Sequence, residues 1–521
     1  MTTFRLKVFT QYLWLALFVV LLRVVFRLLF DSFEVVTALR AVVDGLQLAM
    51  WVIGFGLLNA LLDFRKLLPR APKFFKNSIT ALNIALTLAP EIARSVSRVR
   101  VAGRLRSRRR GFRLLHSVII PVLSNAIDQA IDLGDSMQGR GFGASPRRET
   151  ASSRIEISNL SFGYQPDVEV LRSINLSIEP GQLVTISGNT GSGKSTLLKV
   201  IQSKVPGSVY VNQFPRRGFV ADTVFDELAF GLRQSEKAPE VIENQVTEAA
   251  RAFGLETLLR EDPQTMSAGW QQRVAIAAGI CSGSKVLLLD EPLSALDIQA
   301  SEMFFDTLTE LKRQKITVVI AEHRIKELQE MSDSFLTIDS GNLTARFAEQ
   351  ANLKARIWPA GNVLAVLGSN GSGKTSMLRK LADAGGVLVP QPASDLLYLD
   401  TVAEELKQAD LDANQPIGTA AKVFFKFGPL VDLNQNPRDL SEGQKLALTI
   451  SIQLVKPLKQ LLLDEPTLGF DTPSRQKLVD AVFEISKGGI EVIVATHDLD
   501  FATAIANRTE HLQPRELEYV G

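Results

Sequence analysis

Two long apolar stretches open the chain, and short apolar runs recur at regular intervals after residue 153. The first stretch, residues 11–30, reads QYLWLALFVVLLRVVFRLLF, and the second, 45–62, reads GLQLAMWVIGFGLLNALL. About 20 apolar residues suffice to cross a bilayer core of about 30 Å, so both are candidate membrane helices. Arg23 and Arg27 are four apart and share one helix face near the end of the first, where long side chains can snorkel. A second apolar span follows and no small-residue cleavage site intervenes, which argues against a secretory signal. The stretches NSITALNIALTLAP and LLHSVIIPVLSNAI, within 77–143, are too short to span. Beyond 153 come LVTIS, VLLLD and TVVIAEH, then VLAVL, QLLLD and EVIVATH, with helix-type segments between them. Short, continuously apolar runs alternating with helices predict parallel strands covered on both faces, an α/β fold.

Charge refines this picture. Arg5 and Lys7 precede the first span; Arg65, Lys66, Arg70, Lys73 and Lys76 follow the second. The intervening loop holds Asp31, Glu34, Arg40 and Asp44. The positive-inside rule places both termini in the cytoplasm of a multi-pass protein of the cell membrane. An arginine run follows: Arg94, Arg98, Arg100, Arg104, Arg106, Arg108, Arg109, Arg110 and Arg113. It suits a helix face against anionic membrane lipid, or a surface docking onto acidic grooves. No aromatic interleaving or reader motif accompanies it, so no nucleic-acid partner is expected. The net charge of +2 implies no polyanion partner either. A single cysteine, Cys281, rules out an internal disulfide framework. Residues 144–153, ASPRRETASS, read as a linker.

The second half repeats the first. Gly188-Asn189-Thr190-Gly191-Ser192-Gly193-Lys194-Ser195-Thr196 recurs as Gly368-Ser369-Asn370-Gly371-Ser372-Gly373-Lys374-Thr375-Ser376. Each follows a strand pattern and precedes a helical one, the context a phosphate-binding P-loop needs. Glycines let backbone N–H groups curl around phosphates, and the helix N-terminus adds a favourable dipole. Lys194 and Lys374 would reach the β- and γ-phosphates of ATP, and Ser195 and Thr375 would ligate Mg²⁺. The runs ending at Asp290 and Asp464 supply a second magnesium donor, and Glu291 and Glu465 follow as candidates to orient the attacking water. His323 and His497 each lie 33 residues after the aspartate, as candidate γ-phosphate contacts.

These residues resemble the ABC ATPase family over about 154–510. Signature-like sequences begin at Met266-Ser267-Ala268-Gly269-Trp270-Gln271 and Leu440-Ser441-Glu442-Gly443-Gln444, each serine 23 residues before its aspartate. The resemblance implies Q-loop glutamines at Gln213 and Gln391, which also approach the magnesium ion. It implies D-loops at Ser294–Asp297 and Leu468–Asp471, and adenine stacking by Tyr164, with Phe347 as a weak counterpart. It also implies head-to-tail pairing. Site one would join Lys194 and Glu291 with Ser441 and Gly443; site two would join Lys374 and Glu465 with Ser267 and Gly269. Ala268 and Trp270 depart from the family's small glycine and glutamine, which predicts that site one hydrolyses faster.

The segment from Ala89 to Gly143 resembles the cytoplasmic part of the transmembrane T component of energy-coupling factor (ECF) transporters. That resemblance makes Arg140, within Gly139-Arg140-Gly141, a coupling arginine, and Arg104 a candidate second one. It implies a separate substrate-binding membrane S component and leaves room for an additional T-like subunit. The expected organisation is a helical membrane and coupling segment (1–143), the linker (144–153), and two P-loop ATPase domains (154–345 and 346–521).

Overall fold

The computed structural model describes residues 113–142 and most of 154–512, together with isolated positions nearer the N-terminus. The candidate spans at 11–30 and 45–62 lie outside the described residues but for such positions, and so do Arg104, the linker and Phe347. Among the described residues no helix is long and apolar enough to cross a membrane. One compact unit comprises Met1–Leu86 and a second Thr87–Gly521; everything below concerns the second.

Helix α1 (Arg113–Gly139) comes first. An antiparallel pair follows, β1 (Ile155–Phe162) and β2 (Leu171–Ile178), whose alternating burial covers one face only. The first sheet takes β3 (Leu183–Ser187), β4 (Val209–Val211), β5 (Val286–Asp290), β6 (Thr317–Ala321), β7 (Ser334–Asp339) and β8 (Asn342–Thr344). Its strand order is β4-β5-β6-β3-β7-β8, parallel except at β8. The helices of this copy include α2 (Lys194–Lys204), α3 (Val224–Gln234), α4 (Pro239–Ala252), α5 (Ala268–Cys281) and α6 (Ile298–Arg313).

The second copy has β9 (Val363–Leu367), α7 (Lys374–Asp383), β10 (Val387–Val389), α8 (Val402–Asp412), α9 (Thr419–Phe427) and α10 (Glu442–Leu454). It continues with β11 (Gln460–Asp464), α11 (Thr472–Lys487), β12 (Glu491–Thr496), α12 (Leu499–Ile505) and β13 (Arg508–His511). Its order, β10-β11-β12-β9-β13, repeats the parallel part of the first sheet. Among the described residues it has no counterpart of the β1–β2 pair. Strands β3, β5, β6 and β9 are buried at every position, as their unbroken apolar runs predict.

Helix starts are equally legible. Thr223 and Thr401 cap α3 and α8 by accepting from the third residue beyond, and Asp297 and Asp471 do the same for α6 and α11. Each P-loop lies between the C-terminal end of a central strand and a helix N-terminus, where parallel α/β sheets present their ligand sites.

Candidate nucleotide sites

The P-loop conformation follows from its glycines. Gly188, Gly191 and Gly193 have φ of 154°, 81° and 106°, and Gly371 and Gly373 repeat the last two at 83° and 95°. Lys194 is buried and donates to Gly188 O at 2.9 Å and Asn189 O at 3.0 Å. Lys374 donates to Gly368 O at 2.6 Å and Ser369 O at 3.2 Å. Burial pulls the Lys194 ammonium below its usual range, against the opposing pull of Glu291 and Asp290.

Each loop meets a carboxylate behind it. Thr375 donates its hydroxyl to Asp464 at 3.2 Å. Asp290 accepts from the Tyr210 hydroxyl at 2.7 Å. Burial pushes both aspartates up, with the Tyr210 and Ser195 hydroxyls opposing it at Asp290 and Thr375 opposing it at Asp464. Among the described residues no group of three His, Cys, Asp or Glu side chains could hold a metal alone. One hydroxyl and one carboxylate per loop fit a magnesium ion that takes its remaining ligands from phosphate and water.

The glutamates share an unusual backbone. Glu291 and Glu465 have φ of 43° and 44°, a region non-glycine residues rarely occupy. Their partners differ. Glu291 lies 2.9 Å from His323 Nε2 and accepts from Gln213 Nε2 at 3.0 Å. Glu465 lies 2.9 Å from His497 Nδ1 and 3.2 Å from Lys374 Nζ. Burial would raise the Glu465 carboxyl, but His497 and Lys374 together hold it below the usual range. Gln391 is exposed, whereas Gln213 is half-buried. Tyr164 is largely exposed, with its hydroxyl 3.4 Å from Thr196 Oγ1.

The two copies meet reciprocally. Thr190 N–H donates to Asp471 Oδ2 at 2.7 Å, and Asn370 N–H donates to Asp297 Oδ2 at 3.0 Å. Each P-loop thus touches the aspartate that caps a helix of the other copy. Asn370 Nδ2 also donates to Ala295 O at 3.0 Å. A Cβ at Gly469 would stand 3.1 Å from Gln213 Nε2, so the second copy's turn lies against the first copy's glutamine.

The signature helices differ for a local reason. At α10, Ser441 and Gln444 form a reciprocal capping box: Ser441 N–H donates to Gln444 Oε1 at 2.8 Å, and Gln444 N–H donates to Ser441 Oγ at 3.3 Å. At α5 the equivalent position is Trp270, which cannot complete the box, and Ser267 makes no side-chain cap. The indole packs against the apolar core, and the Arg273 guanidinium lies 5.3 Å from its ring centre.

Arg140 ends α1 inside the first copy. It is 3 % exposed and pairs with Glu227, itself fully buried. Its guanidinium also donates to Gly218 O at 2.6 Å and Ser136 Oγ at 2.8 Å, and stacks 5.2 Å from the Phe230 ring centre. Glu227 accepts from Val220 N–H and Ala221 N–H, both at 2.8 Å, so the pair is fully bonded. A Cβ at Gly139 would stand 3.2 Å from Gln202 Nε2 and 3.3 Å from Ser208 O, and Gly141 turns the chain at φ 96°. Close approach and turn therefore account for both glycines of the motif. Two features escaped the sequence reading. Glu227 lacks any motif, and Tyr210 is one apolar-run residue among several.

Two family profiles match. "ABC transporter" covers residues 171–294, and "AAA domain, putative AbiEii toxin, Type IV TA system" covers 391–502. A "Putative ABC transporter ATP-binding protein" of Streptomyces avermitilis is 28% identical over 70% of this chain and 93% of its own length. A protein of the same description from Methanosarcina mazei is 24% identical over 68% of this chain and 92% of its own length. Among solved structures, "Model of ribosome-bound archaeal Pelota and ABCE1" overlaps with a TM-score of 0.48 at 18% identity, over 68% of this chain and 76% of that one. The chain carries tandem ABC ATPase domains, which bind ATP with Mg²⁺ and imply ATP hydrolysis.

Proposed function

We propose that this tandem ABC ATPase is the energy-coupling module of an ECF-type importer, taking up a vitamin or metal ion captured by a separate S component. The observation that carries the reading is the burial of Arg140 in the first copy's groove, against Glu227. An arginine at the end of a helix, seated beside the half-buried Q-loop glutamine's domain, is how a membrane-side helix would feel nucleotide state. The names of the relatives support a transport role, and the N-terminal apolar stretches support membrane attachment.

In this reading the P-loop amides and Lys194 or Lys374 cradle the phosphates. Ser195 with Asp290, and Thr375 with Asp464, would hold magnesium, assisted by Gln213 and Gln391. Bound magnesium would neutralise charge developing on the transferred phosphoryl group. Glu291 and Glu465 orient the attacking water, His323 and His497 contact the γ-phosphate, and Ser441, Gly443, Ser267 and Gly269 close each site from the opposite copy. Tyr164 stacks on the adenine. Closure of the two copies moves α1 through Arg140. Arg104 would play the matching part from its own position.

The test is purification in mild detergent with assays for ATPase activity, co-purifying small membrane proteins and bound vitamin or metal. Arg140→Lys, which keeps a cation beside Glu227 but loses the forked contacts to Gly218 O and Ser136 Oγ, is expected to leave ATP binding intact and to reduce stimulation of turnover by the membrane partner. Full recovery in the soluble fraction without detergent would overturn the transport reading in favour of a tandem ABC ATPase with a non-membrane target.

A further inference from the structure

The hydroxyl of Tyr210 is buried and donates to Asp290 at 2.7 Å. Tyr210 lies in the middle of β4, opposite Leu288, two residues before the aspartate along β5. In the second sheet Leu388 occupies the same register, opposite Leu462, two residues before Asp464. The two copies therefore differ at this matched strand position: both aspartates have a P-loop hydroxyl beside them, but only the first copy adds one from the neighbouring strand. At the position matching Lys199, five residues after the P-loop lysine, the second copy has Arg379.

Tyr210 also faces the docked helix. Lys199 Nζ lies 5.8 Å from the Tyr210 ring centre and 3.4 Å from Asp135 Oδ2 on α1. A cavity of about 20 Å³, room for about one water, lies between α1 and β4 and is lined by Asp132, Tyr210 and Asn212 among others. A continuous set of contacts thus runs from α1 through Lys199 and the Tyr210 ring to the Asp290 carboxylate.

We propose that Tyr210 is a positioning residue that fixes the magnesium-facing carboxylate of Asp290, and that α1 sets its position through Asp135 and Lys199. The inference rests on the reading of Asp290 as a magnesium ligand. The hydroxyl occupies Oδ2 and leaves the other carboxylate oxygen for the cation, which selects one rotamer before metal arrives. Movement of α1 shifts Lys199 and the ring together and so reaches site one's metal directly. Site two, with Leu388, lacks this connection. Site one alone would then feel the helix through the metal as well as through the Q-loop.

The experiment uses the full chain with a non-hydrolysable ATP analogue and Mn²⁺ as the probe, with bound metal counted by electron paramagnetic resonance. The wild-type protein should bind two manganese ions. Tyr210→Phe keeps the ring and should weaken one of the two by about tenfold, since a hydrogen bond to a charged group is lost. The other ion, in the same molecule, controls for folding. Combining Tyr210→Phe with Lys374→Ala should leave only the weakened class. Asp135→Asn should weaken the same ion by about twofold to threefold, the scale of a partly exposed ion pair. Two manganese ions at wild-type affinity in Tyr210→Phe would overturn the proposal. A weakened ion in Tyr210→Phe with none in Asp135→Asn would uphold the positioning role and overturn the link to α1. A wild-type protein that binds no manganese with nucleotide would instead overturn the reading of the ATP site itself.

Discussion

The two ATPase copies share a sheet order, a P-loop geometry and a left-handed glutamate, yet they differ at each place where the first copy is tied to something else. Copy one offers Gln213, His323 and Tyr210 to its acidic pair, while copy two sets Lys374 and His497 against Glu465. Copy one receives Arg140 of α1 beside Glu227. Copy two buries Glu405 at the matching point of α8, where it accepts from Tyr398 N–H and Leu399 N–H. Their signature helices differ in reverse: copy two has the capping box and copy one lacks it. In the proposed head-to-tail pairing, the catalytic half braced by Gln213 and Tyr210 and the better-capped signature would fall in the same site, site one. The lesson is that duplication conserves the phosphate cradle, whose geometry tolerates little change, and frees the surrounding contacts to diverge.

Four perturbations would sharpen or break this contrast. The largest effect is expected at Arg140. Arg140→Ala leaves Glu227 buried without its cation and should destabilise copy one by about 3–5 kcal/mol, the scale for breaking a buried ion pair, as read by chemical denaturation. An unchanged midpoint would show that the docked helix is not integral to copy one. Next is Gly269, where a Cβ would stand 2.8 Å from the Ala300 Cβ. Gly269→Ala should cost about 1–3 kcal/mol through overpacking. Gly443→Ala, whose Cβ would meet Phe470 only at 3.7 Å, should leave stability nearly unchanged. Equal losses would remove the packing difference between the signatures.

A smaller effect concerns the caps. Ser441→Ala should destabilise the fold by about 1 kcal/mol, and Ser267→Ala by much less, since only the former loses a cap. Trp270→Gln should restore a capping partner and raise turnover at site two relative to site one. The smallest effect is a pH dependence. Burial opposes it, but Ser474 and the Thr190 N–H hold the Asp471 carboxyl below its usual range. A depressed folded-state pKa stabilises the fold above the ordinary aspartate range, and that stabilisation is lost as pH falls through the folded pKa. Asp471→Asn should therefore flatten the acid side of the stability profile. An unaltered acid limb would detach Asp471 from the contact between the copies.

Much of this was legible in the residues. Unbroken apolar runs marked β3, β5, β6, β9 and β12, because parallel strands covered on both faces need no polar positions. The glycine spacing marked the P-loops, because backbone curvature there demands positive φ. Trp270 in place of a glutamine stood out in the sequence as a departure from the family, but the capping box it removes emerged only from the structure, where the box depends on one side chain three residues after the serine. Arg140 was singled out through a resemblance that rests on its flanking glycines, and the structure buries it. Its partner Glu227 was not singled out, because an acid within an ordinary amphipathic helix carries no local mark of what docks against it. Tyr210 was missed for a similar reason. Its hydroxyl matters only once β4 is laid beside β5, and a tyrosine in an apolar strand reads as core. The reciprocal contacts of Asp297 and Asp471 with the opposite P-loops likewise required both copies in three dimensions.

The central claim is that the two ATP sites are unequal and that site one does most of the work. Turnover of Glu291→Gln and Glu465→Gln, measured side by side on the full chain at saturating ATP and Mg²⁺, tests it most directly. The account predicts that Glu291→Gln loses most of the activity, at least about tenfold, while Glu465→Gln retains a substantial fraction. Abolition of turnover by Glu465→Gln with Glu291→Gln left intact would contradict it.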